Sequence, residues 1–220
     1  MQNLGSVAAE VAKRGIAMAE EHDRRLREDP AYREGWEIRE KEAREVEDAR
    51  AIKSIERAWT EYGIPRRLWP MFEAGPPEDR KAIQVTREWL AGPKTFLIMA
   101  GDRGIGKTVA SAWAVKEEGG LFRKARDIAW LSQFDTEGRD VLLRANVLAI
   151  DDLGTEPLDD KGWALSMIYA VLDHRYDSAR KTLITTNLSV DAMGQRYGKD
   201  GGRLFRRFKE TGDWIELGAA

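Results

Sequence analysis

One run of residues carries the most specific chemistry in the chain. Gly101-Asp102-Arg103-Gly104-Ile105-Gly106-Lys107-Thr108 fits the pattern Gly-x-x-x-x-Gly-Lys-Ser/Thr at every required position. Glycines let backbone wrap closely around phosphate oxygens and take conformations that side chains resist. The N–H groups at a helix start converge there, and the helix dipole favours an anion. On this reading the loop binds ATP with Mg²⁺. Lys107 reaches the β- and γ-phosphates, and the Thr108 hydroxyl is a Mg²⁺ ligand. Val109, the next residue, belongs to the same nucleotide-binding set.

Two more polar groups stand where such chemistry needs them. Val147–Ile150 runs directly into Asp151-Asp152. A carboxylate at the tip of a strand beside the phosphate-loop strand is where a Mg²⁺-bound water must be held. This assigns Asp151 to the Mg²⁺ shell and Asp152 to orienting or deprotonating the attacking water, with Glu156 in reserve. Thr185-Thr186-Asn187 ends another apolar run. The neutral amide of Asn187 can hold the lytic water between a γ-phosphate and a carboxylate without repelling either. Alone, a turn-forming Asn after a Thr-rich strand would read the same way.

These groups require elements to position them. Thr95–Ala100 reads as a buried strand ahead of the loop, and Lys107–Glu118 as a helix stopped by Gly119 and Gly120. Leu121–Lys124, Val147–Ile150, Thr182–Thr186 and Asp213–Leu217 read as further strands. Gly162–Tyr176 reads as an apolar helix with Leu165, Ile168 and Leu172 on one face. Alternating strands and helices imply an α/β fold, a parallel sheet sandwiched by helices, over residues 61–220.

Residues 1–60 have another texture. They hold 12 Lys and Arg against 14 Asp and Glu, a mixed rather than single-signed charge. Glu37–Lys41 and Glu40–Arg44 have the i,i+4 order that supports an exposed helix, and Pro30 should split the segment into two helices. Val46, Ala49, Ile52, Ile55, Trp59 and Tyr62 form one apolar stripe, expected to pack on the α/β core. The weaker apolar face of residues 1–45 points to partner docking.

Composition excludes several alternatives. There are no cysteines, which rules out thiolate zinc sites and disulfides. His22 and His174 are the only histidines, too few for a histidine-based metal site. No apolar run approaches the roughly 18 residues of a membrane span, and Glu10, Lys13 and Arg14 interrupt any early signal-like stretch. A soluble, cytoplasmic protein without membrane contact is expected. The net charge of −2 means that nucleic-acid binding would need a local patch. Arg123, Lys124 and Arg126, with Trp130 and Phe134 nearby, suit a single strand without sequence specificity; the two aromatics read equally as core residues of a short helix.

The three polar elements, in this order and spacing, resemble the AAA+ class of P-loop ATPases. Asp-Asp-Leu-Gly-Thr-Glu-Pro-Leu from Asp151, then a helix ending His174-Arg175-Tyr176, then Thr-Thr-Asn-Leu, resembles the DnaC-type helicase loaders and the related IstB-type transposition ATPases. The resemblance covers roughly residues 60–217. It implies that Tyr62-Gly-Ile-Pro-Arg-Arg helps enclose adenine, which adds Ile64 to the nucleotide contacts. Gly202-Arg203-Leu204-Phe205 is similar to the motif carrying an arginine finger, which makes Arg203 the residue that stabilises transition-state charge from a neighbouring subunit. Arg206 and Arg207 are the next choices; with Lys209 these arginines could equally form a solvated basic face. The resemblance also implies no C-terminal lid domain, hydrolysis at subunit contacts through self-association, and DNA replication as the setting. The partners implied are a replicative hexameric helicase, docked through the N-terminal extension, and single-stranded DNA. A transposition helper delivering a transposase, or a nucleotide-gated adaptor with little turnover, are the alternatives.

Overall fold

The computed structural model describes residues 4–75, 80–131, 135–157 and 163–218, with the side chains of residues 4–9, 11, 163–164 and 199–205 outside the description. The chain divides into two compact units, Met1–Glu56 and Arg57–Ala220.

The first unit holds α1 (Leu4–Glu28) and most of α2 (Pro30–Glu61). Pro30 does set the break. It occupies the first helical position, where its missing N–H costs nothing. Asp29 caps α2 by accepting the Tyr32 N–H at 3.0 Å. Arg33 reaches back to the last carbonyls of α1, at Leu26 (2.7 Å) and Arg27 (2.9 Å), groups that a helix end leaves unpaired. His22 joins the two helices, bonding the Tyr32 hydroxyl at 2.9 Å and meeting the Trp36 ring edge-on. Further along α2, Glu40 pairs with Arg44 at 2.6 Å. Of the apolar stripe, Trp59 is buried in the core of the second unit and Tyr62 is half-buried, while Val46, Ala49, Ile52 and Ile55 belong to the first unit.

The second unit is built on a five-stranded parallel sheet, in the order β2-β3-β4-β1-β5. The strands are β1 (Phe96–Gly101), β2 (Gly120–Lys124), β3 (Val147–Leu153), β4 (Lys181–Thr186) and β5 (Gly212–Leu217). Alternate side chains serve opposite faces. Leu97 and Met99 of β1, Val147 and Ala149 of β3, and Leu183 of β4 point to a core shared with α4 (Lys81–Ala91) and α5 (Lys107–Glu118). Phe96, Ile98, Leu148, Ile150 and Ile184 point to the other, shared with α6 (Ala125–Ala129), α8 (Trp163–Asp177) and α9 (Val190–Thr211). Both faces being covered explains why the strands read as unbroken apolar runs. The segment before the sheet joins the first core: Trp59 packs edge-on against Trp69 and Phe72, the latter two on the short α3 (Trp69–Glu73).

Two cations fix the N-terminal end of β4. Arg175 on α8 is fully buried. Its Nη1 donates to the carbonyls of Leu142 (2.8 Å) and Ala145 (3.0 Å), closing the C-terminus of α7 (Thr136–Arg144). Its Nη2 donates to the Lys181 carbonyl (2.6 Å) and its Nε to Thr182 Oγ1 (2.9 Å). Among the described residues no carboxylate takes part, and burial pushes the guanidinium down to about 9. On the other face, the Lys181 ammonium donates to the carbonyls of Trp89 (2.6 Å) and Gly92 (2.8 Å) at the end of α4. Cations suit the negative ends of helices. The register set here determines where Thr185, Thr186 and Asn187 emerge at the opposite end of the strand.

Helix α9 has no strong sequence signal, because Gly194, Gly198, Gly201 and Gly202 dilute it. Ser189 caps it through the Ala192 N–H at 3.2 Å, and Gly198 breaks it with φ 57°, ψ −139°.

Candidate nucleotide-binding site

The residues that could do chemistry converge at the C-terminal ends of β1, β3 and β4, the edge where ligands bind in open α/β sheets. They line a cleft of about 400 Å³. Its lining includes Gly104, Gly106, Lys107, Thr108, Val109, Asp152 and Asn187, all expected from sequence except for the way they meet. Gly106 opens α5 with φ 92°, a conformation that glycine takes without a steric penalty. At Gly101 the constraint is crowding: a Cβ there would sit 2.2 Å from the Leu217 carbonyl oxygen of β5.

Lys107 is 6% exposed. Its Nζ donates to the carbonyls of Gly101 (2.7 Å) and Asp102 (2.7 Å) and to Asn187 Oδ1 (3.0 Å). Burial lowers its pKa, and Asp152, Asp151 and Asp102 oppose that shift. The ammonium thus bridges the phosphate loop and the end of β4, so one cation links two of the three sequence elements.

The third element joins through Asp151, which is buried. The Thr108 hydroxyl lies 3.0 Å from its Oδ1, and the Thr185 hydroxyl donates to the same oxygen at 2.6 Å. Burial raises the Asp151 pKa; the Thr185 and Thr108 hydrogen bonds work against the rise, while Asp152 adds to it. Thr185 also accepts the Asp152 N–H at 2.9 Å. Asp152 has φ 58°, uncommon for a residue with a side chain. Its carbonyl accepts from the Thr155 N–H (3.1 Å) and hydroxyl (2.8 Å), so the turn that aims it into the cleft is pinned on both sides. Strained backbone held in this way clusters at functional sites.

A hydroxyl and a carboxylate side by side are hard oxygen donors. Mg²⁺ takes one or two protein ligands of that kind and completes its shell with phosphate and water. Thr108 and Asp151 fit that ion. Among the described residues no cluster of three or more His, Cys, Asp or Glu offers an all-protein metal cage.

Other expected residues lie elsewhere. Asp102 and Ile105 form the loop, Asp102 through its carbonyl, while Ile105 packs on the core beneath. Ile64 is buried in that core, and its carbonyl accepts the Trp69 indole N–H at 3.2 Å. Glu156 is buried away from the cleft, held by the Gly154 N–H at 2.8 Å, by Arg196 and by the Tyr197 hydroxyl; it is no reserve base. Arg203 falls on α9 and its side chain lies outside the described residues. Arg207 pairs with Asp173 and Arg206 lies 3.8 Å from Glu210. Among the nucleic-acid candidates, Arg123 turns inward to the Phe122 carbonyl (2.8 Å). Trp130 is 69% exposed, which overturns a core role for it. Phe134 lies outside the described residues.

Arg67, Arg80 and Thr155 complete the cleft lining alongside Arg103, and sequence reading did not single them out. Arg67 sits in the Tyr62–Arg67 segment, where the signal was available. Arg80 approaches Gly106 from just ahead of α4, a contact that no local pattern announces. Three arginines and a lysine facing one aspartate make a cleft suited to a polyanion.

No family model matches the chain, and no curated protein matches it. Solved structures do. The DnaC helicase loader matches with a TM-score of 0.55 at 22% identity, over 70% of this chain and 99% of that one. DnaI matches with a TM-score of 0.53 at 20% identity, over 69% and 93%. A replication initiator DnaA bound to AMPPCP and single-stranded DNA matches with a TM-score of 0.53 at 18% identity, over 66% of this chain and 48% of that one. At these identities the likeness is one of fold. Together with the strand order and the phosphate loop at the end of β1, it gives this chain the P-loop AAA+ fold of the DnaC, DnaI and DnaA structures.

Proposed function

We propose that the chain binds ATP with Mg²⁺ in the Gly101–Thr108 cleft, hydrolyses it, and uses turnover to load a replicative hexameric helicase onto single-stranded DNA. The observation that carries the ATPase reading is the convergence at the sheet edge of two hydrogen-bonded pairs, Lys107 with Asn187 and Thr108 with Asp151, on adjacent residues of the phosphate loop. Lys107 is placed to hold β- and γ-phosphate oxygens once a nucleotide displaces its present carbonyl partners. Thr108 and Asp151 would hold Mg²⁺, which supplies charge neutralisation at the phosphates. Asp152 orients a water for in-line attack and accepts its proton, and the Asn187 amide fixes that water without adding charge. Arg203 acts from a neighbouring copy on the charge that develops at the γ-phosphoryl group.

The finger assignment has its own test. Arg203→Ala should cut turnover by about 10³-fold while leaving ATP affinity intact. Mixing it with Asp152→Asn should restore part of the activity, since one copy then supplies an intact site and the other an intact finger. An absence of rescue at every mixing ratio contradicts action in trans.

The loader reading is supported by likeness to the fold of the DnaC helicase loader. The docking assignment is to residues 1–45 of the extension. Single-stranded DNA has Trp130 as a stacking surface beside Lys124 and Arg126. Deletion of residues 1–45 should leave intrinsic ATPase unchanged and abolish capture of a hexameric helicase from host lysate in Mg²⁺ and a slowly hydrolysed ATP analogue, read by mass spectrometry. Capture that survives the deletion refutes the docking assignment. Recovery of a transposase instead refutes the loader reading and moves the protein to the transposition class, with its ATP site unchanged.

A further inference from the structure

A fully buried carboxylate behind the Asp152 turn is not used by the chemistry above. Glu156 lies four residues past Asp152, at the end of the same turn, and its side chain is 0% exposed. One oxygen accepts the Gly154 N–H at 2.8 Å, inside that turn. The other accepts the Tyr197 hydroxyl and lies 3.5 Å from Arg196 Nε. The Arg196 guanidinium also donates to the Glu156 backbone carbonyl. Burial and the neighbouring carboxylate both push the Tyr197 phenol up, so it stays a donor. A buried acid costs several kcal/mol of desolvation unless it is paired in this way. The arrangement thus fixes the turn bearing Asp152 to two consecutive residues of α9.

Those two residues immediately precede the break at Gly198. Beyond the break, α9 is held by other elements. Arg207 pairs with Asp173 and Glu210 accepts the Tyr176 hydroxyl at 2.6 Å, both on α8, and Phe208 packs against Phe96 of β1. The half before the break follows the Asp152 turn; the half after it follows α8 and β1. A helix kinked at glycine between two separately anchored halves has one soft point. The Asp152 turn is also the part of the site that must respond to a γ-phosphate, since Thr185 ties its backbone to the Mg²⁺ carboxylate.

We infer that Glu156 is a positioning residue that couples the Asp152 turn to the hinge of α9, so that the state of the γ-phosphate site sets the orientation of the helix beyond Gly198. The inference rests on the ATPase reading. It gives the arginine-bearing half of α9 a nucleotide-dependent position, controlled from within the same chain.

Hydrogen exchange on the full-length protein, with Mg²⁺ and either ADP or a slowly hydrolysed ATP analogue, tests the coupling. In the unmodified chain, amides of residues 199–211 should exchange at rates differing by about threefold or more between the two states. Glu156→Gln and Tyr197→Phe should bind both nucleotides within about threefold of the unmodified chain, lose that difference, and turn over about tenfold more slowly. Mere loosening would speed exchange in both states and leave the difference in place. Should Glu156→Gln fail to fold, Tyr197→Phe removes one hydroxyl and carries the same test. Variants that keep both the difference and normal turnover overturn the inference. So does an unmodified chain that hydrolyses ATP but shows no difference between states, and this leaves the ATPase reading standing. A chain that binds no nucleotide overturns both.

Discussion

Lys107→Ala should lower ATP turnover by at least about 10²–10³-fold, the scale on which removing one preorganised charge from a phosphoryl-transfer or oxyanion site is felt. The structure gives the reason. Lys107 touches both the phosphate loop and the end of β4, through Gly101, Asp102 and Asn187. Its removal takes a charge from the β- and γ-phosphates and also leaves Asn187 without the partner that sets its amide. Lys107→Arg should rescue little. A planar guanidinium cannot take the place of a compact ammonium among three convergent oxygens. Phosphate release under single-turnover conditions measures the effect. Turnover within a fewfold of normal would remove the active-site assignment.

The largest effect on stability should come from a residue outside the site. Arg175→Met should destabilise the protein by about 3–5 kcal/mol, because several buried carbonyls lose their donor at once. Leu142, Ala145 and Lys181 would each keep an oxygen facing the interior with no water to satisfy it. Methionine fills much of the volume, so the loss reports unsatisfied polar groups more than a cavity. Arg175→Lys should recover only part of it, since one ammonium cannot span carbonyls on α7 and β4 that a fork of nitrogens reaches together. The shift in urea midpoint, with the slope unchanged, is the readout. A shift equivalent to less than about 1 kcal/mol would mean that these carbonyls find other partners.

Much of the site was legible before the fold was known. The phosphate loop is a contiguous string whose residue types each answer to a steric or electrostatic need. Asp151 and Asn187 stand at the ends of apolar runs that only a strand explains. The contacts that complete the site are of another kind. Thr185 bonding Asp151, and Arg67 and Arg80 entering the cleft, join segments far apart in sequence, and nothing local marks them. Arg175 shows the limit from the other side. Arginine is mostly a surface residue, and its burial among carbonyls depends on two helix ends meeting one strand. Glu156 read as a spare base because acids near a Mg²⁺ site often are; its burial against Tyr197 depends on α9, a helix that its own glycines concealed. The periodicity from Val46 to Trp59 marks a helix, as α2 is, but periodicity fixes a face and not what covers it.

Gly101–Thr108, Asp151 and Asn187 should act together as a single Mg²⁺-ATP site. A crystal structure of the full chain with Mg²⁺ and a slowly hydrolysed ATP analogue tests it most directly. The β- and γ-phosphates should lie within hydrogen-bond reach of Lys107 and of the N–H groups opening α5, with Mg²⁺ on the Thr108 hydroxyl and Asp151 directed at its shell. Nucleotide bound elsewhere, or a cleft that stays empty at saturating analogue while Lys107 keeps its bonds to Gly101 and Asp102, would contradict it.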